Sequence, residues 1–393
     1  MEIKTPPHIL RDVERCVRCG SCKARCQTYE LVREEPMSAR GRVVLVGEVL
    51  AGRIRPSAKT AERLFSCLLC GICEPSCPVG VKITDVVYHG LSVLAPHMPR
   101  GRWTREAMAR AFLNPGRWWR LAQFARPLLP GLMKRAGVPF ALDLPPEPLR
   151  NGLVIYRPPG KRKGRVAFYT GCSVNYLTPH LGRALIRLLF AMGYEVVLPA
   201  GEVCCGTPMR AIGREAEARA MARRNVDVFG HLHAEAVLTL CPTCTLALRV
   251  HYPAMLGGQG LPHAMDPAQF LAARLDELRA VRPEVILDGP LAWHAPCHLA
   301  HGLGAAQAPL DVMDAMGIEC RVTPRQPCCG FSQAMVTPSL SSDLLAACGQ
   351  AYRGSTVVTA CPGCMAQLAR TGQPVRHLVE LLAPPPGAPG NRS

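Results

Sequence analysis

Apolar positions recur with two different periods along this chain. In Arg40–Leu50, Val43, Val46, Val49 and Leu50 fall at helical spacing, and a second helix is predicted over Ala58–Phe65. Beyond residue 160 the pattern changes to short apolar runs at Arg165–Tyr169, Glu195–Leu198, Ala236–Leu240, Leu291–Trp293 and Ser355–Thr359. Such runs predict strands, and helical stretches such as His180–Met192 and Glu215–Phe229 separate them. The expected fold class is therefore α+β, a helical N-terminal domain over residues 1–98 followed by α/β structure. Residues 99–160 read as a basic helical connector that ends in a linker, marked by Leu144-Pro145-Pro146-Glu147-Pro148 and Pro158-Pro159-Gly160. A proline- and glycine-rich tail at 384–393 is expected to be disordered.

The cysteines divide the rest. Eight lie between Cys16 and Cys77, five between Cys172 and Cys244, and seven between Cys297 and Cys364. Cys172, Cys204-Cys205-Gly206 and Cys241-Pro242-Thr243-Cys244 recur as Cys297, Cys328-Cys329-Gly330 and Cys361-Pro362-Gly363-Cys364, at offsets of 125, 124 and 120 residues. The near-constant offset implies a duplicated α/β domain, 161–285 and 286–383, with the two copies facing each other about a pseudo-two-fold axis. In both, the cysteines stand at or just after the C-terminal ends of strands, where open α/β sheets bind their ligands.

Charge alters the picture less than its size suggests. Forty-six Lys and Arg against 29 Asp and Glu give a formal +17, which raises nucleic acid or an anionic membrane as a partner. Thiolate-held clusters would each bring roughly two negative charges and offset much of that excess. No nucleic-acid-binding module is recognisable, so no nucleic acid partner is expected. Seven arginines between Arg100 and Arg126 interleave with Trp103, Trp118 and Trp119, a combination compatible with an interfacial helix on anionic lipid or with a partner-facing surface. The N-terminus resembles no secretory leader, and the most apolar stretches, Leu188–Met192 and Val237–Leu240, are far too short to span a bilayer. A cytoplasmic protein, peripheral on the inner face of the cell membrane if the basic connector meets lipid, follows. In a reducing compartment closely spaced cysteines are metal ligands before they are cystines.

Cys16-x2-Cys19-x2-Cys22-x3-Cys26 and Cys67-x2-Cys70-x2-Cys73-x3-Cys77-Pro78 both have the spacing that wraps three thiolates around one cubane. In two-cluster ferredoxins the fourth cysteine of each run completes the other cluster. Cys16, Cys19, Cys22 and Cys77 are thus assigned to one 4Fe-4S centre, and Cys67, Cys70, Cys73 and Cys26 to a second. Gln27 stands where the pattern usually has proline. In the repeats each set offers five cysteines, one more than a zinc site needs. Vicinal Cys204-Cys205 can reach two metals of a larger cluster more easily than one ion, with Gly206 allowing close backbone approach. Zinc and thiol–disulfide chemistry remain the alternatives. The candidate ligands are Cys172, Cys204, Cys205, Cys241 and Cys244 in the first repeat, and Cys297, Cys328, Cys329, Cys361 and Cys364 in the second. Cys320 and Cys348 fall outside both patterns and read as buried apolar thiols. His298 and His301 are candidates for a cluster-side or proton-transfer role against a satisfied hydrogen-bonding one.

The double N-terminal run, Arg40-Gly41-Arg42 and two repeats bearing Cys-Cys-Gly resemble, over almost the whole chain, the iron–sulfur subunits of glycolate oxidase. The plan is shared with the iron–sulfur subunits of anaerobic glycerol-3-phosphate dehydrogenase and with lactate-utilisation and heterodisulfide reductase proteins. The resemblance implies a helical ferredoxin domain with two 4Fe-4S clusters. From heterodisulfide reductases it implies a non-cubane 4Fe-4S centre on each complete set of five cysteines; glycolate oxidase subunits often lack part of that set.

Clusters move single electrons, whereas oxidising a hydroxy acid needs a hydride acceptor. Gly302-x-Gly304 lacks the third glycine and the strand-turn-helix frame of a dinucleotide site, so FAD is expected on a partner dehydrogenase subunit. The leading expectation is an electron-transfer subunit of a glycolate/D-lactate type dehydrogenase, inactive alone and passing electrons to a quinone-side acceptor. The alternative is a heterodisulfide reductase-like thiol–disulfide reductase.

Overall fold

The computed structural model describes residues 5–98, 102–127, 131, 144–281, 289–324 and 326–385. Five helices make the N-terminal layer: α1 (Pro7–Arg15), α2 (Gln27–Val32), α3 (Ala39–Leu50), α4 (Ala58–Phe65) and α5 (Ile83–Leu94). Their inward faces, Val43 and Val46 of α3, Leu64 and Phe65 of α4, and Val86, Val87 and Leu91 of α5, form one apolar core. The cysteine runs occupy the loops between these helices, as the helical period around them predicts.

Gly41 sets how tightly this layer closes. The turn Glu35–Met37 lies against the first turn of α3. A Cβ on Gly41 would come 1.9 Å from the Glu35 carbonyl oxygen and 3.1 Å from Pro36 Cα. Ser38 caps α3 by accepting from the Gly41 amide at 2.9 Å, and the Met37 carbonyl then accepts from the Thr28 hydroxyl at 2.7 Å, beside Cys26. In an open helix Gly→Ala gains roughly 0.5–1 kcal/mol. Here the added methyl meets backbone, so Gly41→Ala is expected to cost about 1–3 kcal/mol or more, read as a lower thermal midpoint of the iron-loaded protein.

α6 (Arg102–Leu113) and α7 (Pro115–Phe124) follow the N-terminal layer. Within the stretch read as linker, however, Val154–Tyr156 forms β1, antiparallel to β3 (Tyr194–Leu198). This edge strand pairs with a distant partner, and its three residues are too few to show a period. With β2 (Gly164–Phe168), β4 (Ala236–Leu238) and β5 (Ala264–Met265) it completes a sheet of order β1-β3-β2-β4-β5. The second repeat contains β6 (Leu291–His294), β7 (Arg321–Val322), β8 (Thr356–Thr359) and β9 (Val375–His377) in the order β7-β6-β8-β9, all parallel. Leaving out β1, both sheets have the same order, so the duplicated cysteine pattern is a duplicated fold. Even the turn after the last strand repeats: Asp266 with Gln269 and His377 with Glu380 each form a capping box.

The repeats exchange equivalent contacts, which is the signature of a pseudo-two-fold axis. Helix Pro179–Ala191 of the first packs on Leu378–Leu382 of the second, and reciprocally Ala308–Ala315 packs on Pro267–Ala272. Both sheets feed one apolar core that includes Val166, Phe168, Leu238, Trp293 and Val358. Among the described residues no helix is long and apolar enough to cross a membrane. The expected tail lies outside the described residues from position 386 onward, as does the 285/286 boundary between the repeats.

Candidate metal centres

Tight loops at helix ends gather the N-terminal cysteines. Arg18 and Leu69, each two residues after the first cysteine of its run, take left-handed backbone conformations with φ of 57° and 54°, as do Gly20 and Gly71. These turns curl each run around a hollow. One hollow is lined by Cys16, Cys19, Cys22 and Cys77, the other by Cys26, Cys67, Cys70 and Cys73. The fourth cysteine of each run therefore sits with the first three of the other. Burial, with the Cys16 and Cys77 thiolates adding to it, pushes the Cys22 thiol up to about 11. Burial likewise raises Cys67, where the Arg42 guanidinium opposes the rise.

Arg42 is the residue that the spacing of the cysteines did not single out. Its side chain is 1 % exposed and donates to Thr28 Oγ1 at 2.9 Å, Ser66 Oγ at 3.0 Å and the Arg63 carbonyl at 3.4 Å. It lines the second hollow, and among the described residues no carboxylate pairs with it. A buried guanidinium needs a counter-charge. A dianionic cluster on four thiolates is such a charge, so the residues fit the group that their spacing implies.

In the first repeat the thiols follow one another closely enough to shift each other's titration, Cys172 with Cys204, Cys204 with Cys205, Cys205 with Cys244 and Cys244 with Cys241. In the second the same succession holds, Cys297 with Cys328, Cys328 with Cys329 and Cys364 with Cys361, and Cys329 Sγ is hydrogen-bonded to Cys364 Sγ at 3.4 Å. All five cysteines of each set converge. The thiols of Cys241 and Cys361, equivalent positions, also lie close enough across the axis to shift each other's titration. Gly206 and Gly330 serve this convergence in the same way: both have left-handed φ, 82° and 74°. A Cβ would lie 3.1 Å from Ala218 Cα in one and 2.9 Å from the Ser341 carbonyl oxygen in the other. Five soft sulfur donors in each repeat make a donor set for iron or zinc.

The ferredoxin-like layer docks on the second repeat. Gln27, the departure from the usual proline, accepts from the Cys328 amide at 2.7 Å and donates to the Gln326 carbonyl at 3.3 Å. Gln333 donates to the Cys67 carbonyl at 2.7 Å and Ser332 to that of Leu68 at 3.2 Å. His298 bridges three parts of the molecule, Nδ1 lying 2.7 Å from Thr243 Oγ1 and Nε2 3.0 Å from the Leu69 carbonyl. Both its nitrogens are thus engaged, the hydrogen-bonding role of the two weighed for it. Cys70 comes close enough to Cys328 and Cys297 for their charges to interact. A cavity of about 570 Å³ opens there, lined by Cys70, Cys297, Cys328 and Cys329 with Arg25 and His301 at its wall.

Cys348 is buried and lies 3.5 Å from the Cys328 carbonyl. Its first-repeat counterpart is Asn225, which donates to the Cys204 carbonyl at 3.2 Å. Burial pushes the half-buried Cys320 up to about 11, an unreactive thiol.

Residues 12–81 match the 4Fe-4S dicluster domain family, and residues 166–249 and 291–369 match the cysteine-rich domain family. The glycolate oxidase iron–sulfur subunit of Escherichia coli (strain K12) is 30% identical over 387 residues, covering 93% of this chain and 92% of that protein. A probable glycolate oxidase iron–sulfur subunit of Bacillus subtilis (strain 168) is 27% identical over 90% of this chain and 87% of its own length. A dihydromethanophenazine:CoB–CoM heterodisulfide reductase protein from Methanosarcina acetivorans is 24% identical over 82% of this chain and 78% of its own.

Proposed function

From a chain that belongs to the family of glycolate oxidase iron–sulfur subunits, we propose the electron-transfer subunit of a flavin-dependent 2-hydroxyacid dehydrogenase, of glycolate or D-lactate type. Cys16, Cys19, Cys22 and Cys77 hold one 4Fe-4S cluster, and Cys26, Cys67, Cys70 and Cys73 a second. The five cysteines of each repeat hold two further centres. Bound in these places, iron–sulfur clusters supply one-electron carriers. The protein's own part is to space them, exclude water and compensate their charge, as Arg42 does beside the second hollow. FAD resides on a partner dehydrogenase subunit, and the electrons leave to a quinone-side acceptor at or near the inner membrane surface.

The observation that carries this reading is the continuity of the thiols. Cys70 lines both the hollow around Cys67 and the cavity lined by Cys297, Cys328, Cys329 and Cys364, and Cys361 of this second set lies near Cys241 across the axis. A chain with a relay of donor sets needs a source of electrons outside itself. The isolated protein is therefore expected to be inactive with hydroxy acids. Mixed with its flavoprotein and glycolate or D-lactate under anaerobic conditions, its cluster absorbance bleaches, and more slowly as salt rises if a basic face docks the partner. Clusters that stay oxidised beside reduced flavin would overturn the relay.

The cavity over the second set favours one other reading, a thiol–disulfide reductase, in line with the heterodisulfide reductase relative. Turnover of a disulfide by this chain with an artificial donor, and no flavoprotein, would put that activity in place of the relay.

A further inference from the structure

The two repeats differ at one position beside their cysteines. β2 runs into Tyr169, three residues before Cys172, and β6 ends at His294, three before Cys297. Tyr169 donates its hydroxyl to the Val203 carbonyl at 2.7 Å, and its ring packs on Phe229 with centroids 5.4 Å apart. His294 packs edge-to-face on Tyr352, the counterpart of Phe229, at 5.7 Å, and its Nδ1 lies 3.1 Å from the Tyr352 hydroxyl. The aromatic pair is preserved while its polar atoms are rearranged. In the first repeat they are spent on backbone. In the second, a buried imidazole nitrogen and the Cys329 and Cys364 sulfurs all lie within 4.8 Å of one another.

We propose that His294 is a sixth ligand of the second-repeat centre, bonded to iron through the ring nitrogen that Tyr352 leaves free. The span suits one metal: bonds near 2.3 Å to sulfur and 2.0–2.1 Å to nitrogen put ligand atoms about 3.5 Å apart at tetrahedral angles. A ligating histidine usually has its other nitrogen held by a hydrogen bond that fixes ring orientation, the place Tyr352 fills. The sequence pattern of five cysteines per repeat conceals this asymmetry, since the first repeat carries tyrosine at the same place. A thiolate in place of this neutral imidazole would add negative charge to the centre and lower its potential, the converse of the rise seen where histidines replace cysteines in Rieske centres. The ligand assignment does not rest on the relay proposed above.

The test uses the full chain loaded with iron anaerobically and labelled with 15N-histidine. Iron analysis shows that the second repeat is metallated, and pulsed EPR reads nitrogen coupling at each paramagnetic centre. The expected result is one centre with a directly bonded histidine nitrogen, lost in His294→Gln at unchanged iron content. In a redox titration His294→Cys should lower the midpoint of that centre alone. A second repeat without iron, a loaded wild-type centre with no such coupling, or a coupling and midpoint unmoved by the substitutions would each overturn the assignment. Failure of the flavoprotein to reduce the clusters would sink the relay and leave the nitrogen coupling intact.

Discussion

Cys77→Ser should remove about four irons from the N-terminal domain, and they should come from the centre built on the first run, some sixty residues earlier in the chain. Cys77 lines the same hollow as Cys16, Cys19 and Cys22, and its thiolate adds to the rise of the Cys22 pKa. Serine is a poor soft-metal donor, and the three remaining thiolates cannot close a cubane's fourth corner. Cys26→Ser should do the reverse and deplete the centre around Cys67, Cys70 and Cys73. Iron and sulfide analysis with EPR of both variants distinguishes the two signals. If Cys77→Ser instead removed the second-run cluster and left the first, the crossed arrangement of ligands would be wrong.

Arg42→Leu should have an effect of similar scale by a different route. The guanidinium is buried, has hydroxyl and carbonyl partners, and lacks a carboxylate among the described residues. In the loaded protein the cluster beside it would be its counter-charge. Removing one member of a buried charge pair costs about 3–5 kcal/mol because the other is left uncompensated. The loaded N-terminal domain should therefore unfold at markedly lower temperature, and the second-run cluster should become harder to reduce while the first-run cluster keeps its midpoint. Arg42→Lys keeps the charge but loses the forked hydrogen bonds to Thr28 and Ser66, so it should restore the midpoint more fully than the stability. Equal midpoints in wild type and Arg42→Leu would show that the cluster does not feel this charge. The same reasoning makes iron removal destabilising, because the chelated protein retains a buried cation without its partner.

Much of the architecture is legible in the chain alone, because the signals involved are local. Val43, Val46 and Val49 announce α3 by their spacing, and the β-branched runs before Cys204, Cys241 and Cys361 announce strands. The Cys-x2-Cys-x2-Cys runs are local as well, since one tight loop presents three of the four thiols of each N-terminal set. The constant offset of the Cys-Cys-Gly motifs carries the duplication, and the identical order of the two sheets follows from it. β1, β5, β7 and β9 escape such a reading because these short strands form only against a neighbour. What tertiary structure decides is which distant groups meet. Gln27 looks like a lapse from a motif until the amide of Cys328 appears beside it. Arg42 looks like one more basic residue until its burial next to Cys67 is seen. His294 looks like a strand-end histidine until it faces Cys329 and Cys364, and Cys241 and Cys361 gain a shared position only where the two repeats cross their axis. Spacing along a chain fixes neighbours within a turn or a loop, whereas contacts over tens to hundreds of residues depend on the packing of whole faces, which no local period encodes.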